Sequence, residues 1–122
     1  MLRDILLIVI DDLRPQLASY GVSFMYTPNI DKLAAEGVRF EHAYAQIAIC
    51  SPSRNSFLSG RYPSNTGVYN FIDDFRNGTR AGSSMIALPE FFRRAGYNTS
   101  GAGKVYHATP PPPFDGNRSW SE

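Results

Sequence analysis

The chain begins with an unbroken apolar run, Ile5-Leu6-Leu7-Ile8-Val9-Ile10, in which no polar position alternates. A β-branched and aliphatic run of this kind predicts a strand buried on both faces of a parallel sheet. It ends at Asp11-Asp12, two adjacent carboxylates at the carboxyl end of the strand, where ligands gather in open α/β sheets. The stretch Thr27 to Gly37 predicts a helix, with Thr27 as cap, Pro28 at the first position, Asp31 in the first turn and Gly37 as the stop. Ile30, Leu33 and Ala34 share one face of it, which is expected to pack on the sheet. Val38, Phe40, His42 and Tyr44 then alternate with Arg39, Glu41 and Ala43, an extended segment that delivers the chain to Cys50. His42 has no metal-ligand spacing to a second histidine and reads as structural.

Residues 52–59 predict a short helix, with Pro52 in its first turn and Gly60 after its end. A second helix is expected over 88–96, from Pro89 to the stop at Gly96, followed by a strand over 97–101. Strand, helix, strand, helix, strand is an α/β order with a mainly parallel sheet flanked by helices. Between Arg61 and Ser84 lies a loop rich in Asn, Gly, Ser and Asp, where Tyr62, Tyr69, Phe71 and Phe75 either anchor the loop to the body or form a substrate-facing rim.

Composition narrows the function classes. A chain of 122 residues that is 43% hydrophobic buries one modest core, so it is one globular domain or a piece of one. Twelve basic against 11 acidic residues, a net charge of +1 and no basic run give no footprint for nucleic acid. One cysteine excludes an internal disulfide. The apolar run 5–10 is too short to span a membrane. Met1-Leu2-Arg3-Asp4 leads straight into that run without the parts of a secretory signal, and no targeting segment is expected. Asn77-Gly78-Thr79, Asn98-Thr99-Ser100 and Asn117-Arg118-Ser119 are glycosylation sequons, informative only in a secreted protein.

Candidate chemistry sits in three places. Cys50 precedes Pro52 and Arg54, which puts a nucleophile candidate at a helix N-terminus, where unpaired N–H groups favour an anion and the arginine fork can face the same place. Taken alone, a single free cysteine is most often a small buried hydrophobe. Asp11-Asp12 suits a hard cation, calcium or magnesium, or else a solvated turn. Lys104 and His107 follow the strand expected at 97–101 and read either as surface residues or as partners of Asp11, Asp12 and Cys50 across a parallel sheet.

Cys50-x-Pro52-Ser53-Arg54-x-x-x-Leu58-Ser59-Gly60 resembles the signature of the type I sulfatases, with Ser59 where the family usually has threonine. Gly96-Tyr97-x-Thr99-x-x-x-Gly103-Lys104 resembles the second signature of that family, and the three-residue step from Lys104 to His107 is similar to the iduronate 2-sulfatase-like branch. Asp11-Asp12-Leu13-Arg14-Pro15, Pro28 to Ala34 and Ala43 to Gln46 extend the likeness over most of residues 5–107, leaving 108–122 as a Pro-rich unassigned tail.

The resemblance implies an alkaline-phosphatase-like α/β fold, of which this chain is the N-terminal part of the catalytic domain. It implies that a formylglycine-generating enzyme converts Cys50 to Cα-formylglycine, and that Asp11, Asp12 and residue 50 ligate calcium, with magnesium the poorer fit. Arg54 and Lys104 then hold the sulfate oxygens, Lys104 and His107 touch the substrate, and His107 moves a proton for the nucleophile at residue 50. The implied substrate is a small-molecule or oligosaccharide sulfate ester, in this branch a sulfated uronic acid or glycosaminoglycan, handled in a lysosomal, secreted or periplasmic setting. In the family the remaining metal ligands and the acid for the leaving group come far downstream. A fragment without activity is therefore one alternative, and a phosphoester hydrolase of the same fold is another.

Overall fold

The computed structural model describes residues 3–77, 84–107, 111 and 114–121. Part of the Arg61–Ser84 loop, two residues of the first sequon and most of the Pro110–Pro113 stretch lie outside the described residues. The chain divides into two compact units, Ile10–Tyr44 on the one hand and Met1–Val9 with Ala45–Glu122 on the other.

In the unit Ile10–Tyr44, a 3-10 turn at Ala18–Tyr20 precedes α1, Pro28–Glu36. Helix α1 starts at its proline with Thr27 at the N-cap as expected, yet the Thr27 side chain makes no capping bond to the helix amides. The Thr27 hydroxyl instead accepts from the Ala18 N–H at 3.2 Å and donates to Asp31 Oδ1 at 3.1 Å. That same oxygen takes the Ser19 N–H at 2.8 Å, so the two side chains tie the 3-10 turn to the helix. No residue of α1 is buried, and Leu33 is 72% exposed, so the expected packing of this face on a sheet is not seen. Residues 38–44 form no strand. Arg39 is drawn sideways to Glu41, to the Ser19 carbonyl and over the Tyr20 ring, 5.3 Å from its centroid, and the Tyr20 hydroxyl donates to the Phe40 carbonyl at 3.0 Å.

The other unit holds α2 (Cys50–Ser59), α3 (Pro63–Thr66), α4 (Leu88–Arg94) and α5 (Gly116–Ser119). Helix α2 touches α3 and α4, and α4 touches α5. Leu58 of α2 joins Phe75, Met85, Ala87 and Tyr106 in the core, with Leu88, Val105 and Trp120 packed against them. The predicted stop of α2 is observed: Gly60 takes φ 65°, a left-handed conformation that glycine adopts without a Cβ clash, and its N–H reaches the Ser56 carbonyl. Helix α4 begins beside its predicted proline, and Glu90 accepts the Ala87 N–H at 3.4 Å, one half of a capping box, since alanine offers no acceptor in return.

The predicted sheet is the main correction. Among the described residues there is no β-strand. The run 5–10 is exposed, Leu6 by 84% and Ile8 by 72%. A strand exists through the N–H and C=O groups of a neighbour, and a parallel neighbour needs a crossover connection. The other two segments read as strands are engaged differently: 38–44 by the contacts of Arg39 and Tyr20, and 97–101 by the tail. Thr99 exchanges backbone and side-chain bonds with Ser121 (N–H to Oγ at 2.9 Å, carbonyl from the Ser121 N–H at 3.0 Å) and donates to the Ser119 carbonyl at 2.7 Å. Ser119 and Ser121, in the tail left unassigned by sequence, thus have a structural part.

Gly101 marks how closely the tail approaches. A Cβ there would lie 2.6 Å from Trp120 Cη2, inside van der Waals contact. Gly101→Ala is expected to displace the indole from its edge-on contact with Tyr106 and to cost about 1–3 kcal/mol. Trp120 is the one tryptophan of this sequence, so its emission in a chemical melt of the chain reports the change. An unaltered spectrum and midpoint would show that the ring yields freely.

Candidate functional site

Helix α2 carries a polar buried face: Ser51, Arg54, Asn55 and Ser56 are buried beside Pro52 and Leu58. Buried polar groups need partners, and here several of the partners lie in loops. Asn55 donates to the Ser51 carbonyl at 2.8 Å and accepts the Phe75 N–H at 2.9 Å. The Ser56 hydroxyl donates to the Arg61 carbonyl at 2.6 Å. Arg54, only 3% exposed, sends Nη1 to the carbonyls of Lys104 and Val105, the latter at 3.0 Å. The helix is therefore fixed less by an apolar stripe than by side chains that hold the adjoining loops in place.

Cys50 is the first residue of α2, half-buried and with a free thiol. The first intrahelical bond runs from the Ser53 N–H to the Ile49 carbonyl at 3.0 Å, so the amides of residues 50 and 51 precede it and the positive end of the helix lies at the cysteine. Gly103, at φ 72°, turns the chain into Lys104, which is exposed, and into Tyr106, which is 2% exposed. His107 stacks at a tilt on Phe71 with ring centroids 5.1 Å apart, and its Nδ1 is buried with no hydrogen-bond partner among the described residues. Arg54 thus joins the helix of Cys50 to the segment carrying Lys104 and His107, two stretches some fifty residues apart (|i−j| = 50).

Asp11 and Asp12 are exposed in a turn of the other unit, with Asp12 at φ 55°. Among the described residues no three of His, Cys, Asp and Glu gather to hold a metal ion. Calcium takes six to eight oxygen ligands, and adjacent carboxylates offer the right atom type in insufficient number. These residues alone do not make a calcium site. A cavity of about 410 Å³ lies near the other end of α2, lined by Ser59, Arg61, Ser64, Asn65, Ser84, Met85 and Ile86, and contains none of the candidate residues. No described helix is long and apolar enough to cross a membrane.

Sequence reasoning missed a buried ion network behind the Lys104–His107 segment. Arg76 grips Asp115 with two bonds, Nε to Oδ1 at 2.7 Å and Nη2 to Oδ2 at 2.5 Å, and the same Nη2 donates to Glu90 Oε2 at 2.5 Å. Its Nη1 donates to the Met85 carbonyl, and Arg94 and Arg118 approach Glu90 from more exposed positions. Burial works against the charges of both Arg76 and Glu90. The hydrogen bonds and opposite charges outweigh it, holding the guanidinium pKa above and the Glu90 carboxyl pKa below their ordinary values. The Arg76 partners stand 14 and 39 residues away, outside any local spacing rule.

The family model described as Sulfatase matches residues 3–111. The mouse protein named iduronate 2-sulfatase is 46% identical over 104 residues, covering 85% of this chain and 18% of that protein. The human protein of the same name is 45% identical over the same span, and bovine arylsulfatase A is 40% identical over 104 residues, 83% of this chain and 20% of its own length. The chain spans about a fifth of the length of these relatives. With the match running through the Cys50 helix and the Lys104–His107 segment that Arg54 joins, the chain belongs to the sulfatase family.

Proposed function

We propose that this chain is the N-terminal part of a sulfuric ester hydrolase of alkaline-phosphatase-like fold, acting on a sulfated uronic acid or glycosaminoglycan once Cys50 has become Cα-formylglycine. The observation that carries the reading is Arg54, whose guanidinium ties the Cys50 helix to the backbone of Lys104 and Val105. The substrate class rests on the likeness to the two iduronate 2-sulfatases.

In hydrated form the modified residue supplies an oxygen nucleophile for sulfur. The surrounding side chains have separable roles. The N-terminal amides of α2 face that position and favour an anion. Lys104, exposed and cationic, holds the sulfate oxygens. His107 moves a proton in the release of sulfate. Arg54 contributes charge at the helix end and fixes the Lys104 backbone. Asp11 and Asp12 would supply oxygen ligands to a calcium ion, together with residue 50 and further ligands that these residues do not provide.

The test is to co-express the full-length protein with a formylglycine-generating enzyme and examine the Cys50 peptide by mass spectrometry. The expected result is an aldehyde at residue 50, together with calcium-dependent hydrolysis of sulfate esters in preference to phosphate esters. Pro52→Ala is expected to lower conversion, because the modifying enzyme reads this stretch before folding. A thiol in every peptide, or a preference for phosphate, would refute the reading.

A further inference from the structure

We propose that Tyr106, anchored through Ser119 and Asp115 to Arg76 and Glu90, is the positioning element that sets the path of Lys104 to His107. This rests on the sulfatase reading of those two residues. Ser119 donates its hydroxyl hydrogen to Asp115 Oδ2, so its lone pair is left to accept the Tyr106 hydroxyl at 2.7 Å. Asp115 is in turn clamped by two bonds from Arg76, which also binds Glu90 at the start of α4. Donation therefore runs from the residue just before His107 through Ser119 to Asp115, and Arg76 donates from the far side both to Asp115 and to Glu90 in the first turn of α4.

Three observations favour positioning over stability alone. Tyr106 already has apolar partners, stacked on Phe75 and edge-on to Trp120 with centroids 6.1 Å away in both cases, and its hydroxyl adds direction to that burial. Buried ion networks are often no more stabilising than an apolar core of the same shape, whereas a fully bonded one fixes a single geometry. Finally, Arg54 grips the carbonyls of Lys104 and Val105, and the network grips the side chain of Tyr106. The segment is thus held at consecutive residues, leaving the Lys104 and His107 side chains to project from a fixed backbone. Burial raises the Tyr106 pKa, which keeps the hydroxyl protonated as the donor.

The test uses the full-length protein with residue 50 converted, and the variants Tyr106→Phe and Ser119→Ala, each of which removes one end of the same bond. Hydrogen exchange in the 103–107 peptide is expected to quicken roughly tenfold, while α1 is unchanged. With a sulfate ester, kcat is expected to fall roughly tenfold and KM to rise about three- to tenfold, because misplaced Lys104 weakens sulfate binding as well as the reaction. A merely structural role lowers the active fraction and leaves KM in place, and that outcome would overturn the proposal. Unchanged exchange in both variants would overturn it whatever the activity. Quickened exchange in a protein whose unmutated form hydrolyses no sulfate ester would uphold the anchor and refute the sulfatase reading.

Discussion

Replacing Cys50 by alanine in the full-length protein is expected to abolish sulfate-ester hydrolysis, by a factor on the order of 10³ or more, with little change in the melting temperature. On the proposed reading the nucleophile disappears, while the surrounding donors proposed to bind sulfate remain. The fold is expected to tolerate the change because Cys50 is the first residue of α2, half-buried, and alanine is the strongest helix former. Arg54→Ala is the informative contrast. It leaves the carbonyls of Lys104 and Val105 without the donor they now share, a loss of about 1–3 kcal/mol in all since both bonds are only part-buried, so activity and stability fall together. Steady-state turnover and a denaturant melt on the two variants separate the roles. Retention of a tenth or more of the activity in Cys50→Ala would remove residue 50 from the reaction.

What sequence made legible was local. The beginnings of α1 and α4, and the end of α2, were readable because proline and glycine impose backbone angles within a few residues of themselves. Helices α3 and α5 were missed because four residues carry no periodicity. The run 5–10 reads as a buried strand because it is β-branched and aliphatic and no polar position alternates in it. Its burial depends on neighbours, and among the described residues it has no strand beside it. Of the loop aromatics expected to anchor residues 61–84, Phe75 is fully buried whereas Tyr62, Tyr69 and Phe71 are half or more exposed.

The candidate site shows the same division. Cys50, Arg54, Lys104 and His107 were legible as motif residues, since chemistry repeats in short patterns. That Arg54 spends Nη1 on the backbone of the second motif was not, nor was the anchoring of Tyr106 by Ser119, thirteen residues on. Such links depend on which loops fold back on one another, a long-range property that no single stretch encodes.

Arg76→Ala is expected to be the most destabilising single change in the unit that holds the candidate site, at about 3–5 kcal/mol near pH 7 in the full-length protein. The side chains of Glu90 and Asp115 are each only 3% exposed, and Arg76 is the one cation that binds both, Glu90 being met at 2.5 Å by the more exposed Arg94 as well. Its removal leaves the buried Asp115 with the Ser119 hydroxyl and Glu90 with the more exposed Arg94 and Arg118, whereas Arg118→Ala, which loses a 3.8 Å contact at a 43% exposed side chain, should cost less than about 1 kcal/mol. The effect also has a definite pH dependence. Glu90 has its pKa lowered from 4.5 in the native protein, so its contribution is present above 4.5 and is lost as the pH falls through the lower native value. In Arg76→Ala the lowering is weakened, because burial still works against the Glu90 charge while the Arg76 bond and charge are gone, so the variant loses less on protonation. The stability gap between the two proteins is therefore expected to be widest near neutral pH and to narrow below 4.5. Urea unfolding at both ends of that range measures it. A gap of under about 1 kcal/mol near neutral pH, or one that does not change with acidification, would mean that the two carboxylates find other partners or water when the arginine is gone.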